Sequence, residues 1–290
     1  MLKVYALSAI CPRGLPRSGL GVKPQQGLGR SPNQKIVIKE VFFVKKTLTE
    51  RTFVVAHRGA SAYAPENTLE AFALAVEMKA DGIETDVHFS KDGVIMINHD
   101  EKIDRTSNGQ GLITDYTCEE LKNFDFGCKF KGERTGTKIP TLDELYELIK
   151  PTNMFINIEI KSADPAMSKA LVEAAKKFGM SDRIIYSSFD HFQLTRMLEV
   201  CPDAFVAPLY HFNMVKPWLY AENIPAKAVH PKYTQIQRIE GYVDECHKRG
   251  LRVHPWTCDD PEVIKYLAEV GCDAVISNVP DVARETLGYK

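Results

Sequence analysis

From residue 53 onward, short apolar runs rich in β-branched residues alternate with stretches in which apolar residues recur at helical spacing. The runs predict eight strands, which span Phe53–His57, Gly82–His88, Met154–Ile160, Ile184–Ser188, Ala204–Leu209, Ala228–His230, Arg252–Trp256 and Ala274–Ser277. The helical spacing predicts six helices, over Thr68–Lys79, Thr141–Lys150, Pro165–Phe178, His191–Val200, Gln237–Lys248 and Pro261–Val270, and it is weakest between residues 204 and 230. Strands that alternate with helices pair in parallel, and eight such units predict an α/β fold closed into a (β/α)8 barrel.

A ninth apolar run, Val94–Asn98, does not fit this alternation. Only four residues, Ser90 to Gly93, separate it from the second strand, whereas a parallel crossover needs about a dozen. The run therefore predicts an antiparallel hairpin, with the Asp-Gly pair as its turn. Folding at that turn places three pairs of residues opposite each other: Phe89 and Val94, Asp86 and Ile97, and Glu84 and His99. The hairpin begins a short cap insertion after strand 2, and the barrel keeps eight strands.

Residues 1–50 differ in composition from the rest of the chain. They carry nine Lys or Arg residues against two acidic ones, and nine Gly or Pro residues fall between positions 12 and 32. This composition predicts a basic leader, disordered at least to about residue 35, because it lacks the apolar periodicity of a packed segment. Residues 36–44 are apolar enough to form a strand or to cover the bottom of the barrel. The barrel domain is predicted over residues 51–290.

The overall composition excludes some classes of function. The chain has 290 residues, a net charge of −1 and no basic face with interleaved aromatic residues, so we expect no nucleic-acid partner. No run approaches the roughly 18 apolar residues of a membrane span, and we expect no stable membrane insertion. Seven cysteines without paired spacing suggest free thiols in a reducing compartment. Because the N-terminus is also a poor signal peptide, we predict a cytoplasmic protein, whose oligomeric state stays open.

Three carboxylates lie near the ends of predicted strands. Glu84 and Asp86 are two residues apart and point to the same face of strand 2, and Glu159 ends another strand at the same level. Unpaired buried carboxylates are destabilising, so such a group needs a shared proton or a cation. Without a cysteine ligand, the set predicts one hard divalent cation, Mg²⁺ or Ca²⁺. An isolated Glu-x-Asp pair would instead be read as ordinary strand-end charges paired with Lys or Arg.

Basic residues end the same strands. His57 and His99 are candidates for proton transfer because imidazole titrates near neutral pH. Arg58 and Lys161 suit phosphate oxygens better than proton abstraction. Cleavage of a phosphodiester requires charge stabilisation together with an acid and a base, so the group predicts a phosphodiesterase site. Glu66, ahead of the first helix, either joins this site or complements the helix dipole.

Nine short motifs occur in the order seen in glycerophosphodiester phosphodiesterases, a family that the chain resembles over about residues 52–288. They are His57-Arg58-Gly59, Pro65-Glu66-Asn67-Thr68, Glu84-x-Asp86-Val87, Lys91-Asp92-Gly93, His99-Asp100, Ile139-Pro140-Thr141-Leu142, Glu159-Ile160-Lys161, Ser188-Phe189 and Trp256-Thr257. The combination is specific, although no single motif is. The chain departs from the family pattern at Cys258-Asp259, where a small apolar residue and Asn are common, and at Ser277-Asn278, where Thr-Asp is frequent.

The resemblance implies a TIM barrel of the phospholipase C-like phosphodiesterase type. It also implies hydrolysis of glycerophosphodiesters, such as glycerophosphocholine or glycerophosphoethanolamine, to sn-glycerol 3-phosphate and an alcohol. The implied roles are divalent-cation binding by Glu84, Asp86 and Glu159, acid–base catalysis by His57 and His99, phosphate binding by Arg58 and Lys161, and an apolar pocket wall formed by Phe189 and Trp256. Phe189 and Trp256 could equally be barrel core.

Three alternatives stay open at this point. A lysophospholipase D-type activity on the same scaffold would need an apolar groove or a membrane-facing surface. A catalytically silent binding module would be expected to lack at least one of the metal-binding or acid–base residues, and all five are present. The nucleophile could also be the substrate's own glycerol hydroxyl, which would give a cyclic phosphate first.

Overall fold

The computed structural model describes residues 51–131 and 136–290, and within these ranges the chain forms nine strands and ten α-helices. The strands are β1 (Phe53–His57), β2 (Gly82–Phe89), β3 (Ile95–Ile97), β4 (Phe155–Ile160), β5 (Ile184–Ser188), β6 (Val206–Tyr210), β7 (Ala228–Pro231), β8 (Arg252–Val253) and β9 (Ala274–Ser277). The helices are α1 (Leu69–Glu77), α2 (Cys118–Leu121), α3 (Leu142–Ile149), α4 (Ala166–Phe178), α5 (His191–Val200), α6 (Pro217–Asn223), α7 (Thr234–Arg238), α8 (Tyr242–His247), α9 (Pro261–Glu269) and α10 (Pro280–Thr286). The predicted leader, residues 1–50, lies outside the described residues.

Eight of the strands are parallel and form a barrel. Their order is β8-β7-β6-β5-β4-β2-β1-β9, so the last strand pairs with the first. Backbone hydrogen bonds from Ile276 N to Pro255 O, 3.0 Å, and from Cys258 N to Ile276 O, 2.9 Å, join β9 to the segment that follows β8. The predicted (β/α)8 barrel is confirmed.

The hairpin insertion is present, but its predicted register is wrong by one residue. β3 runs antiparallel to β2 with Val87 opposite Ile97 and Phe89 opposite Ile95, in place of the predicted pairs. The cause is a shorter turn: Ser90 N donates to Val94 O at 2.9 Å, so only residues 91–93 form the loop, with Gly93 at φ 79°. The Ser90 hydroxyl accepts from Val94 N at 3.0 Å and takes the place of a backbone acceptor.

The helices match the prediction except for the short α2, which was not predicted, and in the second half of the barrel. Thr68 caps α1, its hydroxyl accepting from Ala71 N. The single helix predicted over Gln237–Lys248 is wrong, because Gly241 adopts a left-handed φ of 70° and separates α7 from α8. The leg with the weakest pattern contains the short helix α6, and α10 was not predicted. No helix in the described ranges has the length and apolar content that crossing a membrane would require.

The core leaves one end of the barrel interior free for charged groups. Every second side chain of a strand points outward, and these side chains, such as Ile83 and Val87 of β2, pack against the surrounding helices. A smaller apolar cluster comes from the inward-facing residues, among them Val55, Phe155 and Ala207. Since strands alternate their faces, the inward positions beyond this cluster are the C-terminal strand ends, where barrels of this kind place their active sites.

Candidate active site

The three predicted carboxylates converge at the C-terminal end of neighbouring strands. Parallel pairing of β2 with β4 sets Asp86 beside Glu159, and Glu84 lies on the same face two residues earlier. One oxygen from each lies within 4.8 Å of the others, and all three residues are buried. This distance is compatible with a single metal ion held by three oxygen ligands.

Two cations contact the same carboxylates. Lys161 Nζ lies 2.5 Å from Glu159 Oε1 and 3.3 Å from Asp86 Oδ1. Arg58 donates its backbone N–H to Glu84 Oε2 at 3.0 Å, and its Nε lies 3.5 Å from Asp86 Oδ2. The left-handed φ of Arg58, 56°, together with Gly59 at 81°, makes the sharp turn that brings this backbone N–H to the carboxylate. The three carboxylates therefore share two positive charges and keep an excess of negative charge.

The pKa values show the consequence of this excess. Burial, followed by repulsion from Asp86, raises the pKa of Glu159 to about 8. The same two causes, in the same order, raise the pKa of Glu84 well above its ordinary value. Burial would also raise the pKa of Asp86, but the Lys161 and Arg58 charges outweigh it and hold that pKa well below its usual range. A further positive charge would therefore favour the ionised form of both Glu84 and Glu159.

A divalent cation fits this requirement. Among the described residues, Asp86 Oδ1 is buried yet accepts no hydrogen bond, although it lies within ion-pair distance of Lys161 Nζ. Buried oxygens of this kind are normally satisfied, and a hard cation prefers such carboxylate ligands. The donor set therefore fits Mg²⁺ or Ca²⁺, and Glu84, Asp86 and Glu159 could hold it.

The two histidines lie beside different groups of the site. His57 ends β1, its Nε2 lies 3.9 Å from Glu84 Oε2, and its Nδ1 is 2.7 Å from Asn278 Oδ1. His99 follows β3, its Nε2 lies 3.1 Å from Lys161 Nζ, and its Nδ1 is 2.6 Å from Asp100 Oδ1. Burial, together with the Arg58 charge, lowers the pKa of His57 to about 4, so this imidazole is neutral at neutral pH.

The predicted apolar residues line the same cavity. His57, His99 and Glu159 share its wall with Phe189 and Trp256. The two aromatic rings meet edge to face, with centroids 5.4 Å apart, and the Lys161 ammonium lies 5.7 Å from the Phe189 ring centre. The structure thus brings together all nine residues that the sequence suggested. Seven of them line this cavity, and the other two, Asp86 and Lys161, lie beside Glu159.

Several residues that support the site were not predicted as part of it. Asn67, considered above only within a motif, adopts a φ of 57° and donates from Nδ2 to Asp86 Oδ2 at 2.8 Å. Glu66 does join the site: it accepts from Arg58 Nη1 at 2.9 Å and from Arg105, which also donates to Asp100. The neighbouring His-Asp pair in the sequence could have indicated Asp100, but Arg105 carries no local signal.

The comparison with protein families shows which family the chain belongs to. The model of the glycerophosphoryl diester phosphodiesterase family matches residues 57–282, which include every strand end described above. The chain belongs to this family.

Three related proteins align with this chain over nearly their whole length. A glycerophosphodiester phosphodiesterase of Caldanaerobacter subterraneus subsp. tengcongensis is 41% identical, over 80% of this chain and 96% of its own. A solved phosphodiesterase of Oleispira antarctica, in complex with the product sn-glycerol-3-phosphate, is 30% identical with a TM-score of 0.75, covering 82% of this chain and 97% of its own. A glycerophosphodiester phosphodiesterase of Agrobacterium tumefaciens is 31% identical with a TM-score of 0.71, covering 81% and 99%.

Proposed function

We propose that this protein hydrolyses glycerophosphodiesters, such as glycerophosphocholine and glycerophosphoethanolamine, to sn-glycerol 3-phosphate and an alcohol. The proposal rests on one observation: three carboxylates, two fixed cations and two imidazoles converge around one cavity. It is supported by the names of the relatives and by the product bound to the Oleispira antarctica enzyme.

Glu84, Asp86 and Glu159 would hold one divalent cation, Mg²⁺ or Ca²⁺. When bound, such a cation supplies positive charge against the phosphoryl oxygens, on which negative charge grows during cleavage. Arg58 and Lys161 add to this stabilisation. The Arg58 side chain lines the cavity, and its hydrogen bond from Nη1 to Glu66 holds the guanidinium there.

The two histidines differ in what supports them, and this difference supports different roles for them. His99 Nδ1 lies 2.6 Å from the Asp100 carboxylate, which orients the ring, so His99 is suited to protonate the leaving alkoxide. His57 Nδ1 faces the neutral amide of Asn278, so His57 is suited to stay neutral and accept the proton of the nucleophile. That nucleophile is water or the substrate's glycerol hydroxyl.

Lys161 connects the phosphate to the acid. An ammonium group only donates, so His99 Nε2, 3.1 Å from Lys161 Nζ, carries no proton in this state. Contact between the ammonium and a phosphate oxygen would free His99 Nε2 to take up a proton from solvent water, and His99 would then deliver that proton to the leaving alkoxide.

Release of glycerol 3-phosphate tests the proposal. The assay uses glycerophosphocholine and glycerophosphoethanolamine with Mg²⁺, with Ca²⁺ and with excess EDTA. We expect release with at least one of the ions and none in EDTA. Folded protein that releases no product with either ion would contradict the proposed reaction, and full turnover in EDTA would contradict the metal site.

A lysophospholipase D-type activity is the second candidate, and one observation favours it. An apolar rim continues outward from the pocket wall, because Phe189 packs against His211, and His211 against Phe212. Phe189, Phe192 and Phe212 are 40%, 74% and 54% exposed. If an acyl chain lies along this rim, lysophosphatidylcholine should be cleaved, and Phe212→Ser should raise its KM without changing that of glycerophosphocholine. No cleavage of lysophosphatidylcholine would leave only the first candidate.

A further inference from the structure

A chain of hydrogen bonds lies behind His57, where the segment after β8 meets the end of β9. His57 Nδ1 is 2.7 Å from Asn278 Oδ1, and Asn278 Nδ2 donates to Asp259 Oδ2 at 2.6 Å. Asp259 Oδ1 is anchored by two further donors, Asn278 N at 2.8 Å and Ser277 Oγ at 3.0 Å. Asp259 and Asn278 belong to the two dipeptides, Cys258-Asp259 and Ser277-Asn278, noted above as departing from the pattern of the resembled family, and in the structure their side chains bind each other.

The orientation of the Asn278 amide follows from this chain. A carboxylate accepts hydrogen bonds and does not donate them, so the NH₂ group of Asn278 must face Asp259. The opposite orientation would place two acceptor oxygens 2.6 Å apart. The amide oxygen therefore faces His57. It also lies 2.8 Å from Ser61 Oγ, whose single proton is equally within reach of His57 O.

The orientation of the amide in turn determines the tautomer of His57. An amide oxygen only accepts, so the proton of the neutral imidazole must lie on Nδ1. Nε2, on the side of the carboxylate cluster, is then left with a free lone pair. We propose that Asp259 and Asn278 are a positioning pair, which holds His57 in the tautomer that can accept a proton at Nε2. The inference that this tautomer serves catalysis rests on the proposed function.

Two substitutions at this pair have opposite expected effects. In Asp259→Asn the single side-chain oxygen stays with the Asn278 backbone N–H, so the new NH₂ group faces the Asn278 side chain. The Asn278 amide then turns its oxygen toward residue 259 and its NH₂ toward His57, which moves the imidazole proton to Nε2. Adding Asn278→Asp restores an acceptor behind His57, because a carboxylate at 278 accepts from both neighbours.

The first measurement is the tautomer itself, read from the imidazole nitrogen resonances of the metal-free, full-length protein labelled with ¹⁵N-histidine. His57→Gln identifies the resonances of His57 among the eight histidines. We expect the proton on Nδ1 in the wild type, on Nε2 in Asp259→Asn, and again on Nδ1 in the double variant. A proton on Nε2 in the wild type would overturn the proposal. This measurement requires no folded variant, and it can be made whether or not the protein has phosphodiesterase activity.

The second measurement is steady-state kinetics of the same proteins. We expect Asp259→Asn to lower kcat about 100-fold, at the lower end of what one acid–base group contributes. KM should change less than about twofold because neither side chain reaches the substrate, and the double variant should recover most of kcat. Glu262→Gln, an exposed carboxylate nearby, is the matched control and should leave kcat unchanged. Full kcat in Asp259→Asn with the proton still on Nδ1 would overturn the proposal.

Discussion

The excess of negative charge in the site predicts that metal-free protein is stabilised by protons and that a divalent cation replaces them. Glu159 has a folded-state pKa of about 8, against an ordinary value of 4.5. Because the folded-state value is the higher one, proton binding stabilises the metal-free fold fully below pH 4.5, and this stabilisation is lost as pH rises through 8. At 1.36 kcal/mol per pKa unit, the loss is at most about 5 kcal/mol.

The cation reverses this loss. A ligand that binds only the folded state adds about 2.7 kcal/mol at a hundredfold excess over its Kd, which is roughly 5–10 °C in Tm for a domain of this size. Protons compete with the metal for the same oxygens, so the shift in Tm should be small at pH 5 and large at pH 8.

Thermal unfolding in EDTA, Mg²⁺ and Ca²⁺ across pH 5–8 measures both effects. Glu159→Gln removes the titrating group and a ligand, so its metal-free Tm should depend less on pH and its metal-induced shift should nearly vanish. Glu147→Gln, the same change on the exposed face of α3, is the control and should behave as the wild type. A metal-induced shift that is absent with both ions, or equal at pH 5 and pH 8, would refute the reasoning.

Three further substitutions and one deletion test other parts of the structure. His99→Ala should lower kcat by about 10²–10⁴, as expected for loss of an acid–base group, with Tm nearly unchanged; near-normal kcat would remove His99 from the mechanism. Gly59→Ala should destabilise by about 2 kcal/mol or more, because its φ of 81° is strained for Ala and its Cβ would lie 2.6 Å from the Ala71 backbone. Gly93→Ala, with a φ of 79° and open space, should cost less, and equal losses in urea unfolding would contradict the steric argument. Deleting residues 1–35 should leave Tm and activity unchanged, and a large loss of either would show that the leader supports the barrel.

The barrel could be predicted because its signals are local. Runs of apolar residues mark strands buried on both faces, and helical spacing marks the layer around them. The convergence of Glu84, Asp86 and Glu159 followed without coordinates, since parallel strands end at the same side of a barrel. The hairpin register did not follow, because the Ser90 side chain replaces a backbone acceptor and shortens the turn by one residue. Gly241 could have indicated the break between α7 and α8. The break was not predicted because apolar residues recur at helical spacing on both sides of this glycine.

The contact between His57 and Asn278 shows which information comes only from the closed barrel. The prediction of eight parallel strands already makes the last strand a neighbour of the first, so some residue at the end of β9 had to lie beside the end of β1. The register that sets Ala56 opposite Ser277 decides that the neighbour of His57 is Asn278. A single sequence does not contain this register, because the stagger between strands 220 residues apart depends on the closed barrel as a whole. Asp259 and Asn278, which lie in separate segments of the sequence, therefore become intelligible only as a hydrogen-bonded pair, and the double variant Asp259→Asn, Asn278→Asp tests them together.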